Sequence, residues 1–152
     1  MIAVLLSGLL SGCDSNSDGS VTLNRDQTAD LVKMLGTHEG DAHPRRIMGA
    51  MMTGTWTVAF ILDDSGALKC KTSLRLHDSE NGWGNPSTAT ADVRLYKGSA
   101  TDEYSIRVEG AFSESEPHWT VDIDGVALAS GRAVDTLTLF DMDSYELTLH
   151  RK

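Results

Sequence analysis

With 152 residues, the chain is sized for a single domain plus a short leader, enough to bury a proper hydrophobic core. It carries 13 Lys and Arg against 22 Asp and Glu, a formal net charge of −9, and its basic residues gather no further than Arg45-Arg46 and Arg151-Lys152. Such an acidic surface repels phosphate backbones, which argues against nucleic acid as a partner. No G-x-S-x-G, glycine-rich phosphate loop or C-x-x-C occurs, so the expectation is a protein that is not an enzyme.

Met1 to Cys13 reads MIAVLLSGLLSGC, an apolar run that closes on small residues and a cysteine. Leu10-Ser11-Gly12-Cys13 resembles the lipobox of bacterial lipoprotein signal peptides. The resemblance implies cleavage before Cys13, acylation of its thiol with palmitate-like chains, and an extracytoplasmic protein held to a membrane of the bacterial cell envelope. The apolar run is short for a membrane span, which takes about twenty residues. Residues 1–12 would then be signal peptide. The second cysteine, Cys70, is left without a partner in the chain and reads as a small buried apolar residue.

Residues 13–23 follow as a tether, since Asp14 to Ser20 (DSNSDGS) has the composition of a solvated linker. The same residues resemble the opening of an EF-hand or dockerin calcium loop. Asp14, Asn16 and Asp18 would be the oxygen ligands, Gly19 the turn and Val21 the inward anchor. Position 12 of that pattern is Arg25 rather than an acid. The linker reading stands first, and calcium is the one cofactor the sequence offers. Residues 24–53 form a helical lead-in: Asn24 can cap a helix reaching Leu35, with Leu31, Met34 and Leu35 on one face. His38-Glu39-Gly40-Asp41-Ala42-His43 is one residue too long for the zinc pattern H-E-x-x-H, and Gly40 with Pro44 makes it a solvated loop. Met48, Met51 and Met52 could form an adaptable hydrophobic patch, but at that spacing they are expected to seal the end of a core.

From Gly54 the period becomes two. Trp56, Val58, Phe60 and Leu62 share a face, and Asp63-Asp64-Ser65-Gly66 turns the chain. Leu68, Cys70, Thr72, Leu74 and Leu76 then oppose Lys69, Lys71, Ser73, Arg75 and His77. A loop around Gly82, Gly84 and Pro86 leads to Ala91, Val93 and Leu95. Lys97-Gly98-Ser99 turns into Tyr104, Ile106, Val108 and Phe112, and the Glu114–Pro117 turn leads to Trp119, Val121 and Ile123. Asp124-Gly125 signals a tight hairpin into Val126 to Ala129. Thr136 to Phe140 and Tyr145 to His150 close the series across Asp141–Ser144. About eight short-connected strands over residues 54–152, each with one apolar face, predict a mainly β fold. The architecture expected is a small antiparallel up-and-down β-barrel, preceded by a short N-terminal helix.

Gly54-Thr55-Trp56 is similar to the G-x-W element that opens strand A in lipocalins and lipocalin-like bacterial lipoproteins, and the last two strands look like the closing hairpin of such domains. Similar small barrels occur among lipoprotein-like inhibitors of bacterial metalloproteases. The resemblance implies noncatalytic binding of a small apolar ligand, with Trp56, Phe60, Tyr104 and Trp119 among the inward side chains touching it. The alternative is a protein-interaction or inhibitor module with a packed core, acting through Trp83 in its glycine-rich loop and the acidic Glu114 and Glu116.

Overall fold

The structure, a computed structural model, describes residues 14–15, 17–100 and 102–152, with side chains from Ser17 onward. Its elements in chain order are β1 (Asp14–Ser15), β2 (Val21–Thr22), α1 (Arg25–Leu35), β3 (Thr37–Asp41), β4 (Arg45–Ile47) and β5 (Ala50–Leu62). There follow β6 (Leu68–Asp78), β7 (Gly82–Trp83), β8 (Ser87–Lys97), β9 (Glu103–Gly110) and β10 (Trp119–Ala127). A 3-10 turn at Leu128–Ser130 then leads to β11 (Thr136–Phe140) and β12 (Glu146–Arg151).

Eight of these strands, β3, β5, β6, β8, β9, β10, β11 and β12, pair antiparallel in that order, and β12 returns to β3. The sheet is therefore a closed up-and-down barrel. Alternation fills it: Trp56, Val58, Phe60, Cys70, Thr72, Leu74, Ile106, Val108, Val121, Leu139 and Leu149 are all buried. Lys71, Arg94, Arg107 and His150 lie on exposed positions of the same strands. An eight-strand barrel has an interior just wide enough for such side chains.

The connections define two ends. At the loop end lie residues 42–49, 79–86, 111–118 and 141–145. At the helix end lie the turns 63–67 and 98–102, the connection 128–135 and α1. Helix α1 starts where a capping box fixes it. The Asn24 side chain accepts from the Gln27 N–H at 2.9 Å, and the Gln27 side chain accepts from the Asn24 N–H at 3.1 Å. Leu31 and Leu35 are fully buried and join the barrel core. Gly36, at φ +61°, ends the helix and turns the chain into β3.

Arg151 locks this arrangement from the far end of the chain. Its guanidinium donates to the carbonyls of Lys33 (2.9 Å), Met34 (2.6 Å) and Leu35 (3.2 Å) at the end of α1, and the Met34 carbonyl also accepts from the Val134 N–H at 2.9 Å. Its own backbone pairs with His38 across the β12–β3 seam.

Four expectations are corrected. The helical lead-in expected over 24–53 ends at Leu35; Thr37–Asp41 is a barrel strand, and β5 begins at Ala50, ahead of Gly54. Its inward positions are His38 and Gly40, which carry no apolar signal. Gly40 is required because a Cβ there would stand 2.6 Å from a Leu149 methyl. Gly54-Thr55-Trp56 therefore lies within the second barrel strand instead of opening the first. Asp124-Gly125 is a β-bulge inside β10, with Gly125 at φ +69° and a register slip between Ile123 and Val126, so Val126 starts no new strand. Finally, the expected tether is packed from Ser20 onward: Val21 pairs with Leu95 of β8, and Ser20, Val21 and Leu23 are buried.

Replacing Arg151 by Ala strips three hydrogen bonds from the end of α1 and should cost about 1–3 kcal/mol in urea unfolding. Lys152→Ala, which removes an exposed ion pair with Glu39, should leave stability nearly unchanged. Equal effects of the two would refute the capping role.

Candidate functional site

The loop end holds five of the seven large apolar side chains left exposed among the described residues; the other two, Ile61 and Leu62, lie at the opposite end of β5. β4 and the start of β5 form a two-residue hairpin, Ile47 pairing with Ala50, whose tip is Met48-Gly49. Both tip residues have positive φ, +50° and +86°, as the right-handed strand twist demands of so short a turn. Asn or Gly is the usual choice there, yet the first position is Met48, which is 101% exposed. Ile47, at 37%, and Met51, at 51%, extend the apolar surface down the hairpin. Met48 and Met51 thus do not seal a core end as expected. From Ala42 to Leu62 the chain contains no acid.

Trp83 lies on the neighbouring loop, 50% exposed but held. β7 pairs it with His77, whose ring meets its edge at 4.9 Å, and the Arg75 guanidinium sits 5.4 Å from its centroid. Arg75 Nε also donates to the Gly84 carbonyl at 3.1 Å. Tyr145, 47% exposed, stacks on His43 at 3.5 Å. Its loop is ordered by the buried Asp141 carboxylate, which accepts from the N–H groups of Asp143 (2.9 Å) and Tyr145 (3.0 Å). Arg45 bridges to Asp143, joining this loop to the hairpin. Three of the four loops thus present an exposed aromatic or methionine. The fourth, 111–118, carries Glu114 and Glu116, both exposed.

Inside, the four side chains expected to touch a ligand are no more exposed than 3%: Trp56, Phe60, Tyr104 and Trp119. The rings of Trp56 and Trp119 flank Phe112 from the 111–118 connection, at 5.4 and 6.3 Å between centroids. A Cβ on Gly110, opposite Trp119, would collide with that indole. Aromatic rings therefore occupy the mouth of the barrel at the loop end.

Three polar atoms are buried in this interior without a hydrogen-bond partner among the described residues: His38 Nδ1, Thr72 Oγ1 and Trp119 Nε1. His38 Nε2 faces the Val134 carbonyl at 2.8 Å, and because a carbonyl only accepts, that nitrogen carries the proton. Nδ1 is therefore a bare lone pair. Burial pushes the imidazole below its usual 6.5, with Arg151 and His150 acting the same way and Val134 and Asp135 opposing. Cys70 is fully buried, and desolvation pushes its thiol up to about 12, which makes it inert.

Cys13, Asn16 and the side chain of Asp14 lie outside the described residues. Asp14 pairs through its backbone with Thr22 in the β1–β2 hairpin. The third calcium candidate, Asp18, accepts from the Ser20 hydroxyl at 2.5 Å and N–H at 3.0 Å, hydrogen bonds that hold its carboxyl below the usual range. Among the described residues no group of three or more His, Cys, Asp or Glu is placed to hold a metal ion. Nor is any helix among them long and apolar enough to cross a membrane. Comparison of the chain with protein-family models, with curated proteins and with solved structures finds no match.

The sequence singles out Trp83 and offers the methionines as a hydrophobic patch only behind the core-end reading; Ile47 and Tyr145 carry no such signal. A methionine before glycine at a two-residue hairpin, in a stretch without acids, was the available signal. His38 was missed because its strand was read as a loop.

His38 makes stability depend on pH. Above 6.5 it is neutral whether folded or unfolded; as the pH falls below 6.5 the unfolded chain binds a proton that the buried ring refuses, so stability declines. His38→Gln should flatten the decline between pH 6.5 and about 5 in urea titrations. An unchanged slope would remove His38 as the sensor.

Proposed function

We propose that the chain is a noncatalytic binding protein of the bacterial cell envelope that meets a protein partner with the loop end of a packed barrel. The observation that carries this reading is a contrast. The barrel interior holds the protein's own side chains, with Trp56, Phe112 and Trp119 filling one mouth. Met48, Met51, Trp83 and Tyr145 meanwhile stay between 47 and 101% exposed on one end. Aromatic side chains held outside a core lose little freedom on binding and contribute large contact area, and exposed methionines adapt to a partner's shape, the pattern of interface anchors. Arg75 and Arg46 stand beside them and Glu114 and Glu116 across from them, giving the surface both signs of charge for orientation.

Membrane attachment through an acylated Cys13 fits the same arrangement. The next residue, Asp14, pairs with β2, which joins β8 at Leu95 near the helix end. A tether there leaves the loop end facing away from the membrane.

One observation favours a second reading, a small apolar ligand among Trp56, Phe60, Tyr104 and Trp119. The partnerless His38 Nδ1, Thr72 Oγ1 and Trp119 Nε1 offer one acceptor, one hydroxyl and one donor to a guest. Native mass spectrometry of the chain from Asp14 separates the two. The packed reading expects the bare mass. An added organic mass would transfer the assignment to the carrier reading, and a chelator-sensitive calcium increment would restore the loop at Asp14, Asn16 and Asp18 as a site.

Trp83→Ala should abolish capture of the partner from envelope extract, a loss of about 2 kcal/mol or more for an interface anchor, with the melting temperature unchanged. Undiminished capture would exclude Trp83 from the interface.

A further inference from the structure

β10 and β11 are neighbours over only three residues each: Thr120, Val121 and Asp122 pair with Phe140, Leu139 and Thr138. Beyond Asp122 the register ends. The cause is local. The bulge at Asp124-Gly125 swings the rest of β10 toward β9, where Val126 pairs with Tyr104 and Ala127 with Glu103. β11, for its part, stays with β12 as far as Thr136–His150. The wall of the barrel therefore splits, and the split is a cavity of about 620 Å³, within the size range of ligand sites. Met34, Ile123, Val126 and Leu137 give it apolar lining, and Asp122, Asp124 and Arg132 are its charged lining residues.

The same barrel shows how such a gap is closed. β8 pairs with β6 only as far as Asp92, and its edge beyond that point is taken by β2, with Val21 opposite Leu95 and buried. Two extended residues of the chain itself complete that part of the wall. No described strand does so between β10 and β11.

We propose that the β10–β11 split receives an extended peptide from a partner protein, which adds as a strand along Ile123–Ala127 of β10. Such strand addition takes affinity from main-chain hydrogen bonds and selectivity from alternate side chains. The alternation here is specific. Side chains pointing inward meet the apolar lining and must be small and aliphatic. Those pointing outward run beside Asp122 and Asp124, and the Glu103 carboxylate lies 3.6 Å from where a Cβ on Gly125 would stand. Arg107 forms a two-pronged ion pair with Asp122, at 2.9 and 3.2 Å, and Asp124 with Glu103 outweighs the one remaining cation of the described lining, Arg132, by one negative charge. The strand received is therefore aliphatic on one face and basic on the other, complementary to a chain of net charge −9. This site lies in the barrel wall, apart from the loop-end surface.

The test is an NMR titration of the whole chain with acetyl-Lys-Val-Lys-Val-Lys-amide. Shifts are expected for the backbone amides of Ile123–Ala127 and Thr136–Thr138, and they should vanish for the same peptide N-methylated at every bond, which cannot donate to a ladder. Asp124→Lys, an exposed substitution, should weaken binding about tenfold. Trp83→Ala should leave it unchanged. Absence of shifts at these amides, equal binding of the N-methylated peptide, or unaltered affinity in Asp124→Lys would each overturn the proposal.

Discussion

The closure of one seam, between β12 and β3, sets the terms for everything else in this molecule. An open sheet with one apolar face would expose that face and two edges; joining the last strand to the first removes both problems at once. The seam is short, His150 opposite Glu39 and Arg151 opposite His38, and it involves the least apolar strand of the barrel. What holds it is Arg151, which sits in the ladder and at the same time caps α1, while its N–H donates to the Asp135 carbonyl at 2.8 Å. Lys152 adds a backbone bond to Thr37 at 2.9 Å. Helix, first strand, last strand and the β10–β11 connection thus meet around one residue: its backbone serves the strands and Asp135, and the planar fork of its guanidinium serves several carbonyls of the helix where an ammonium would act only as a point charge.

Closing the barrel leaves a narrow interior to be filled, and the filling is done by pairing size against absence of size. Gly40 faces Leu149, Gly54 faces Leu76 and Gly110 faces Trp119, each glycine so close that a Cβ would collide. Interiors at this packing density have no slack for an added methylene. A barrel stapled by its own indoles and by Phe112 is a stiff frame, and the proposed recognition rests on what that frame carries outward. Rigid support also explains why Trp83 stays half-exposed without being mobile, since Arg75, His77 and the Gly84 carbonyl fix its loop to the outer face of β6.

Much of the fold was legible because alternation is a strong signal when both faces obey it. β6, with Cys70, Thr72 and Leu74 inside and Lys71 and Arg75 outside, and β11 over Thr136–Phe140 were readable residue by residue, as was α1 from Asn24 and its apolar face. Two errors compensated in the strand count. Thr37–Asp41 was missed because its inward positions hold His38 and Gly40, whose fitness depends on Val134 and Leu149, far away in sequence. Val126–Ala129 was added because Asp124-Gly125 carries the same local chemistry in a bulge as in a hairpin turn; only pairing to β9 on both sides of the bulge decides between them. The loop-end surface was half legible. An aromatic among glycines stands out, but whether Met48 and Met51 cover a core or leave it depends on how far β4 and β5 project past the end of β6, which no local pattern encodes.

The two ends of the barrel are built on opposite principles, and the difference follows from where secondary structure can be spent. At the helix end the orphan carbonyls of α1 demand partners, so the chain commits Arg151, Gly36 and the 128–135 connection to satisfying them, and apolar surface is consumed in the process: Leu31 and Leu35 are fully buried. The loop end has no helix to satisfy. Its turns close on themselves through Asp141, through Arg45 and Asp143, and through the positive-φ pair at Met48-Gly49. Local hydrogen bonds of this kind leave side chains free. An end that needs no further packing partner to be stable can carry large apolar groups facing outward, and most of them lie there: among the described residues, Met48, Met51, Trp83 and Tyr145 are the most exposed, against only Ile61 and Leu62 at the other end.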